Sequence, residues 1–189
     1  LYNLALQRVK FCYDNSVSED KEKSFEESLN ALILSSKGTE SESEAGYEIA
    51  AFYYEQSQNI AKSAEEKKLL INKSLEIANK YSFFNNIGGN NCKYLIEQIN
   101  QKSLSLTVAN ISIPNEDIPV TVAYKNIDKL YFKIVKFSPD EIFSEESYLD
   151  SKQLEKLKSS SGIKEWEVKF DKSSDKLSHI EKVSVGKLP

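Results

Sequence analysis

The feature that most constrains this chain is a change in the period of its apolar residues close to Lys102. Before that point they recur every three to four residues, and after it every second residue. The first spacing lays one stripe along an α-helix, and the second lays one face along a β-strand. One packed layer cannot satisfy both, so the sequence predicts an α+β chain of two modules. These are a helical part over 1–101 and an antiparallel β part over 103–189.

In the first module Tyr2, Ala5, Leu6, Val9, Cys12 and Tyr13 form one helical stripe, and Phe25, Leu29, Leu32 and Ile33 form the next. Gly38 ends that second element. Ser41 and Glu44 have capping-box spacing for the start of a third helix. Tyr47, Ala50, Ala51 and Tyr54 follow at i, i+3, i+4 and i+7, with small residues where a neighbouring helix can come close. Ile71, Leu75 and Ala78 mark a fourth helix. The run Asn85 to Asn90, with Gly88 and Gly89, reads as a turn. Cys92, Leu95, Ile96 and Ile99 mark a fifth. The offsets of Tyr47, Ala50, Ala51 and Tyr54 are those of a tetratricopeptide helix. The partner positions, Ile71 and Ser74, fit less well, and the turn proline is missing. Tetratricopeptide-like antiparallel hairpins and two ordinary amphipathic hairpins both remain open.

In the second module Leu104, Leu106 and Val108 alternate with polar residues, as do Ile118, Val120, Val122 and Tyr124, then Leu130, Phe132 and Ile134. Tyr131, Val135 and Phe137 face the other way, and the strands 118–124 and 130–137 are expected to form an antiparallel hairpin, with Pro114 and Pro119 flanking its first strand. Residues 138–162 read as a long polar insertion with a short helix at Leu154 and Leu157. Trp166, Val168 and Phe170 predict a fourth strand, and His179 to Val185 a fifth. Five strands make a thin sandwich, so further strands are expected beyond Pro189.

Little in the chain points to catalysis. A formal charge of −4 argues against a nucleic-acid footprint. Cys12 and Cys92 are too few for a disulfide framework, and with a single histidine, His179, there is no zinc set. Both cysteines lie on apolar stripes and are expected to be buried and structural, and His179 to be a surface strand residue. Asp14, Glu26-Glu27 and Glu145-Glu146 read as solvated carboxylates, because no spacing sets any two across a cleft. Glu40, Glu42 and Glu44 lack the aspartates and glycine of a calcium loop and suit a helix start. Gly88-Gly89 has no preceding strand and no phosphate-loop lysine. No catalytic, cofactor-binding or metal-binding residue is therefore assigned. The aromatic residues Tyr47, Tyr54 and Trp166 are the candidates for an interaction surface, although a single tryptophan in an alternating strand reads first as a core residue. No apolar run is long enough to span a membrane. The chain contains no methionine and opens on the run Leu1 to Leu6, so it is expected to be an internal piece of a longer protein.

The stretch Ile118 to Lys136 resembles the opening strands of a macroglobulin-type β-sandwich. The stretches Lys164 to Val168, Ser178 to Glu181 and Leu188-Pro189 resemble its later strands, and Asn91 to Ile99 resembles the helix before it. The family is the large bacterial, Bacteroides-type alpha-2-macroglobulin-like proteins, and the resemblance covers about residues 40–189. It departs at Ala123, where a threonine is expected, and in an eroded helical repeat upstream. It implies an N-terminal helical region plus a first macroglobulin-type domain, with a non-catalytic part in an envelope protein linked to protease trapping. It also implies a periplasmic, outer-membrane-associated or secreted location, and a full-length protein that can carry a lipid anchor. Neither cysteine is followed by Gly-Glu-Gln, so no thioester residue is carried over. The partners expected are a protein or further domains of the same chain. The alternatives are a helical-repeat adaptor binding a protein or peptide, and an accessory domain of a secreted peptidase or glycan-processing enzyme.

Overall fold

A computed structural model describes residues 2–108, 116–136, 151–171 and 173–187. Helices α1 (Tyr2–Asn15), α2 (Lys21–Ser35), α3 (Glu40–Ser57), α4 (Ala64–Tyr81) and α5 (Ile87–Asn100) come first. Strands β1 (Ser103–Val108), β2 (Asp117–Lys125) and β3 (Lys129–Ile134) follow. Helix α6 (Ser151–Ser159), strand β4 (Lys164–Lys169), a 3-10 turn at Ser173–Asp175 and strand β5 (Ser178–Lys187) complete the order. The chain is thus α+β, with the switch from helix to strand between Asn100 and Ser103. It divides into two compact units. One holds Leu1–Ser103, Tyr124–Asn126 and Asp175–His179, and the other holds Leu104–Ala123, Ile127–Ser174 and Ile180–Pro189.

In the helical unit α3 is the central element and packs against α2, α4 and α5. It buries Ala45, Ile49, Ala50, Phe52 and Tyr53, which lie on more than one side of the helix. Two cores result. Leu6, Phe25, Leu29, Ile49, Phe52 and Tyr53 join α1, α2 and α3. Ala50, Ile71, Ala78, Tyr81, Cys92, Leu95 and Ile99 join α3, α4 and α5. The first core is tied by aromatic contacts, with Tyr13 stacked on Phe25 at 4.3 Å between ring centres and Phe25 edge-on to Phe52 at 5.2 Å. Gly38, at φ 79°, turns the chain after α2 in the left-handed region that glycine enters without cost.

Two local expectations are overturned here. The capping box is not at Ser41 and Glu44, because the N-cap of α3 is two residues earlier, at Thr39, and makes no side-chain cap hydrogen bond. A capping box does stand at Ser63 and Glu66, where each side chain meets the other's main-chain N–H. Residues 87–90 are not a turn but the first turn of α5, capped by Asn86, whose Oδ1 accepts from Gly89 N at 2.9 Å. Gly88 is there for proximity, since a Cβ would collide with the main chain of Ser43 and Glu44 at the start of α3.

In the second unit the strands form two small antiparallel sheets, one in the order β1-β2-β5 and one of β3 and β4. The expected β2–β3 hairpin is therefore wrong: β3 pairs antiparallel with β4, Phe132 opposite Trp166 and Leu130 opposite Val168. The short link after β2 does not reverse the chain onto its neighbour. Asn126 takes φ 55°, and its amide donates to the carbonyls of Ile99 and Gln101 at 2.9 Å, closing the C-terminus of α5. On β3–β4 the faces segregate by period two. Lys129 and Lys133 pair with Glu167 and Glu165 at 3.0 and 3.3 Å, and Phe132 stacks on Trp166 at 5.1 Å. Strand β2 buries Val120, Val122 and Tyr124 as its alternation predicts. Strand β1 does not follow suit: all six of its residues are exposed, with Leu104 at 46% and Leu106 at 51%. It lies at the edge of its sheet, where alternation fixes two faces without supplying a cover for either. The helix expected at Leu154 and Leu157 is α6. Pro114, Phe137, Glu145-Glu146, Leu188-Pro189 and most of the predicted insertion lie outside the described residues.

Candidate functional site

Two recesses in the helical unit carry side chains that the cores do not use. The larger is an apolar groove between α1 and α2 of about 430 Å³. Ala5, Val9, Cys12 and Phe25 line it, and Arg8 and Lys21 supply its charge. No carboxylate lines it. Lys21 Nζ stands 5.3 Å from the centre of the Tyr13 ring. Burial raises the Tyr13 phenol above its ordinary range, so the ring meets the groove uncharged.

The same groove explains the one misplaced cysteine. Cys12 was expected to be buried and is exposed, because the face of α1 that carries it is left open along the groove. Cys92 is fully buried, as expected, and desolvation pushes its thiol up to about 11. Little of it is thiolate near neutral pH.

The smaller recess, about 290 Å³, is polar. The end of α3 contributes Ser57 and Gln58, the start of α4 contributes Lys67, the end of β2 contributes Lys125, and the turn into β5 contributes Lys176 and His179. All of these residues belong to the helical unit. His179 was expected at the surface, but its side chain is only 15% exposed. It is held by Asp175, whose Oδ1 lies 2.9 Å from its Nε2, and by the Tyr124 ring, 5.4 Å between centres. No sequence spacing joins these residues, which come from separate elements. The signal that could have found the recess is Lys125 at a strand end, next to an asparagine.

Of the three aromatic candidates, Tyr47 and Tyr54 come together on α3, both half-buried against the α3–α5 core. Burial raises the Tyr47 phenol. The Tyr54 hydroxyl accepts from Lys125 Nζ at 3.4 Å. Trp166 lies in the other unit on β4, half-buried between Phe132 and the ammonium of Lys164, 5.1 Å from its ring centre. Glu26 is not idle solvated charge, because it accepts from the Tyr53 hydroxyl and pairs with Lys73 at 3.3 Å. Glu42 accepts from Gly38 N at 2.8 Å, as suits the start of a helix. Among the described residues no three metal-ligating side chains gather, and no helix is long and apolar enough to cross a membrane.

No family model matches this chain, and no curated protein or solved structure matches it.

Proposed function

We propose that this chain is a non-catalytic interaction module whose helical unit receives an amphipathic protein segment in the α1–α2 groove. The observation that carries this reading is the open apolar floor of that groove, Ala5, Val9 and Phe25, beside two cations and no carboxylate. An apolar helix face flanked by acidic residues complements both features. The helix arrangement supports stacked hairpins of tetratricopeptide type: α3 packs on its predecessor α2 and on both α4 and α5, and Ala50 and Ser74 stand where small residues let α3 and α4 meet. The wider setting we propose is a large alpha-2-macroglobulin-like protein of the cell envelope, linked to protease trapping. It rests on the resemblance of residues 91–137 and of the β4 and β5 stretches.

The test is a peptide array of acidic amphipathic sequences, probed with the intact chain and with an Ala5→Trp variant that fills the groove. Peptides that bind the parent, are lost with Ala5→Trp and shield Cys12 from maleimide support the reading. An array with no binders, or binders indifferent to both changes, would sink it.

A further inference from the structure

We propose that the polar recess at the start of α4 is a binding site for a compact phosphate-bearing anion, such as a phosphate monoester or pyrophosphate. Lys67, Lys125 and Lys176 line it, all half-buried, from three separate stretches of the chain. No carboxylate is among the lining residues. Among the described residues none of the three ammonium groups has an ion-pair partner. Lys125 reaches only uncharged oxygens, Tyr54 Oη at 3.4 Å and Gln98 O at 3.5 Å, at the long end of hydrogen bonding. Three cations converging without a counter-charge repel one another, and an anion of two or more charges removes that repulsion. A lone carboxylate neutralises too little, whereas phosphate offers several oxygens to point-charge lysine donors.

The recess is built rather than draped. Asp175 Oδ1 accepts from Leu177 N and meets His179 Nε2, each at 2.9 Å, which fixes the turn that carries Lys176. Leu177 packs onto the α3–α5 core and anchors that turn to the helices. Asp175 is thereby committed to the turn and does not line the recess. Lys176 itself stands at φ 63°, a conformation that costs a side chain energy and that turn chemistry would normally give to glycine. A strained lysine lining a basic recess that holds no carboxylate is accounted for by a ligand that uses its charge. Ser57, Gln58, Ser178 and His179 add hydrogen-bonding groups to the wall.

The experiment is titration calorimetry of the intact chain with pyrophosphate, inorganic phosphate, glycerol 3-phosphate and citrate. The variants are Lys67→Ala and Lys176→Gly. Lys67 is on a helix where alanine is favoured, and glycine relieves the Lys176 backbone, so both fold, which circular dichroism checks. Saturable one-to-one binding of pyrophosphate or glycerol 3-phosphate, weakened about tenfold by each substitution, is the expected result. Relative affinity for free pyrophosphate against the monoester tells a free anion from a phosphorylated metabolite. Absence of saturable binding, unchanged binding in both folded variants, or a clear preference for citrate overturns the assignment.

Discussion

The hydroxyl of Ser74 on α4 donates to the main-chain carbonyl of Ala50 on α3 at 2.7 Å, and both residues are fully buried. Two helices meet this closely only where the facing side chains are small. Ser74→Ala removes the bond but leaves the Ala50 carbonyl its helical partner, so the expected loss is about 1 kcal/mol. Ala50→Leu forces the helices apart and costs about 3 kcal/mol. Urea melts of the two variants check the order. Equal losses would mean that α3 and α4 are not in the close contact described.

The Glu26, Tyr53 and Lys73 cluster makes stability depend on acid. The Tyr53 hydroxyl donates to Glu26 and holds its carboxyl below the ordinary glutamate range, with help from Lys73. A lowered folded value means that the fold prefers the ionised form. The gain is therefore present above the ordinary carboxylate range and is lost as pH falls through the lowered value. Glu26 is 36% exposed and Lys73 46%, so solvent screens the pair and the gain stays below about 1 kcal/mol. In Glu26→Gln the fall in melting temperature on acidification should be shallower than in the parent. An identical acid limb would show that other carboxylates carry it.

Each sequence signal reports one physical property and nothing beyond it. Helical period places five helices before Ser103, since each needs only its own residues to declare a face. It does not say whether another element covers that face, which is why Cys12 is exposed while Cys92 is buried. Alternation places all five strands, yet it names no partner, and β3 pairs with β4 rather than with its neighbour β2. The recess of Lys67, Lys125, Lys176 and His179 was illegible for a different reason. Those residues belong to three segments, and no spacing along a chain encodes a meeting in space. Tyr47 and Tyr54 were found by their helical offsets, which also gave them a common core.

The two cysteines should separate cleanly by reactivity. Cys12 is exposed along the groove, and Cys92 is buried with its thiol raised to about 11. Both are free. A thiol reagent at neutral pH is expected to label Cys12 in the folded chain and to reach Cys92 only after denaturant is added. Cys92→Ser should cost about 2 kcal/mol, because a hydroxyl is left in an apolar core, while Cys12→Ser should be close to neutral. Rapid native labelling at both positions would place α5 away from the core.

A lesion as costly as Ala50→Leu is expected at Gly88. Asn86 holds the start of α5 to α3, its amide donating to Glu40 O at 3.0 Å and its carbonyl accepting from Ser43 Oγ at 2.8 Å. Gly88 then passes so close that a Cβ would press on the main chain of Ser43 and Glu44. Main chain cannot rotate away as a side chain can, so Gly88→Ala must move one helix against the other. The cost should be about 3 kcal/mol, even though alanine favours helix at an ordinary site by about 1 kcal/mol. Asn86→Ala removes the same tether by deleting bonds and should cost about 1 kcal/mol. The double variant should lose less than the sum, since α5 that has already lifted off α3 no longer feels the extra methyl group. Thermal melts of the three variants decide it, and strict additivity would show that cap and glycine do not act on one contact.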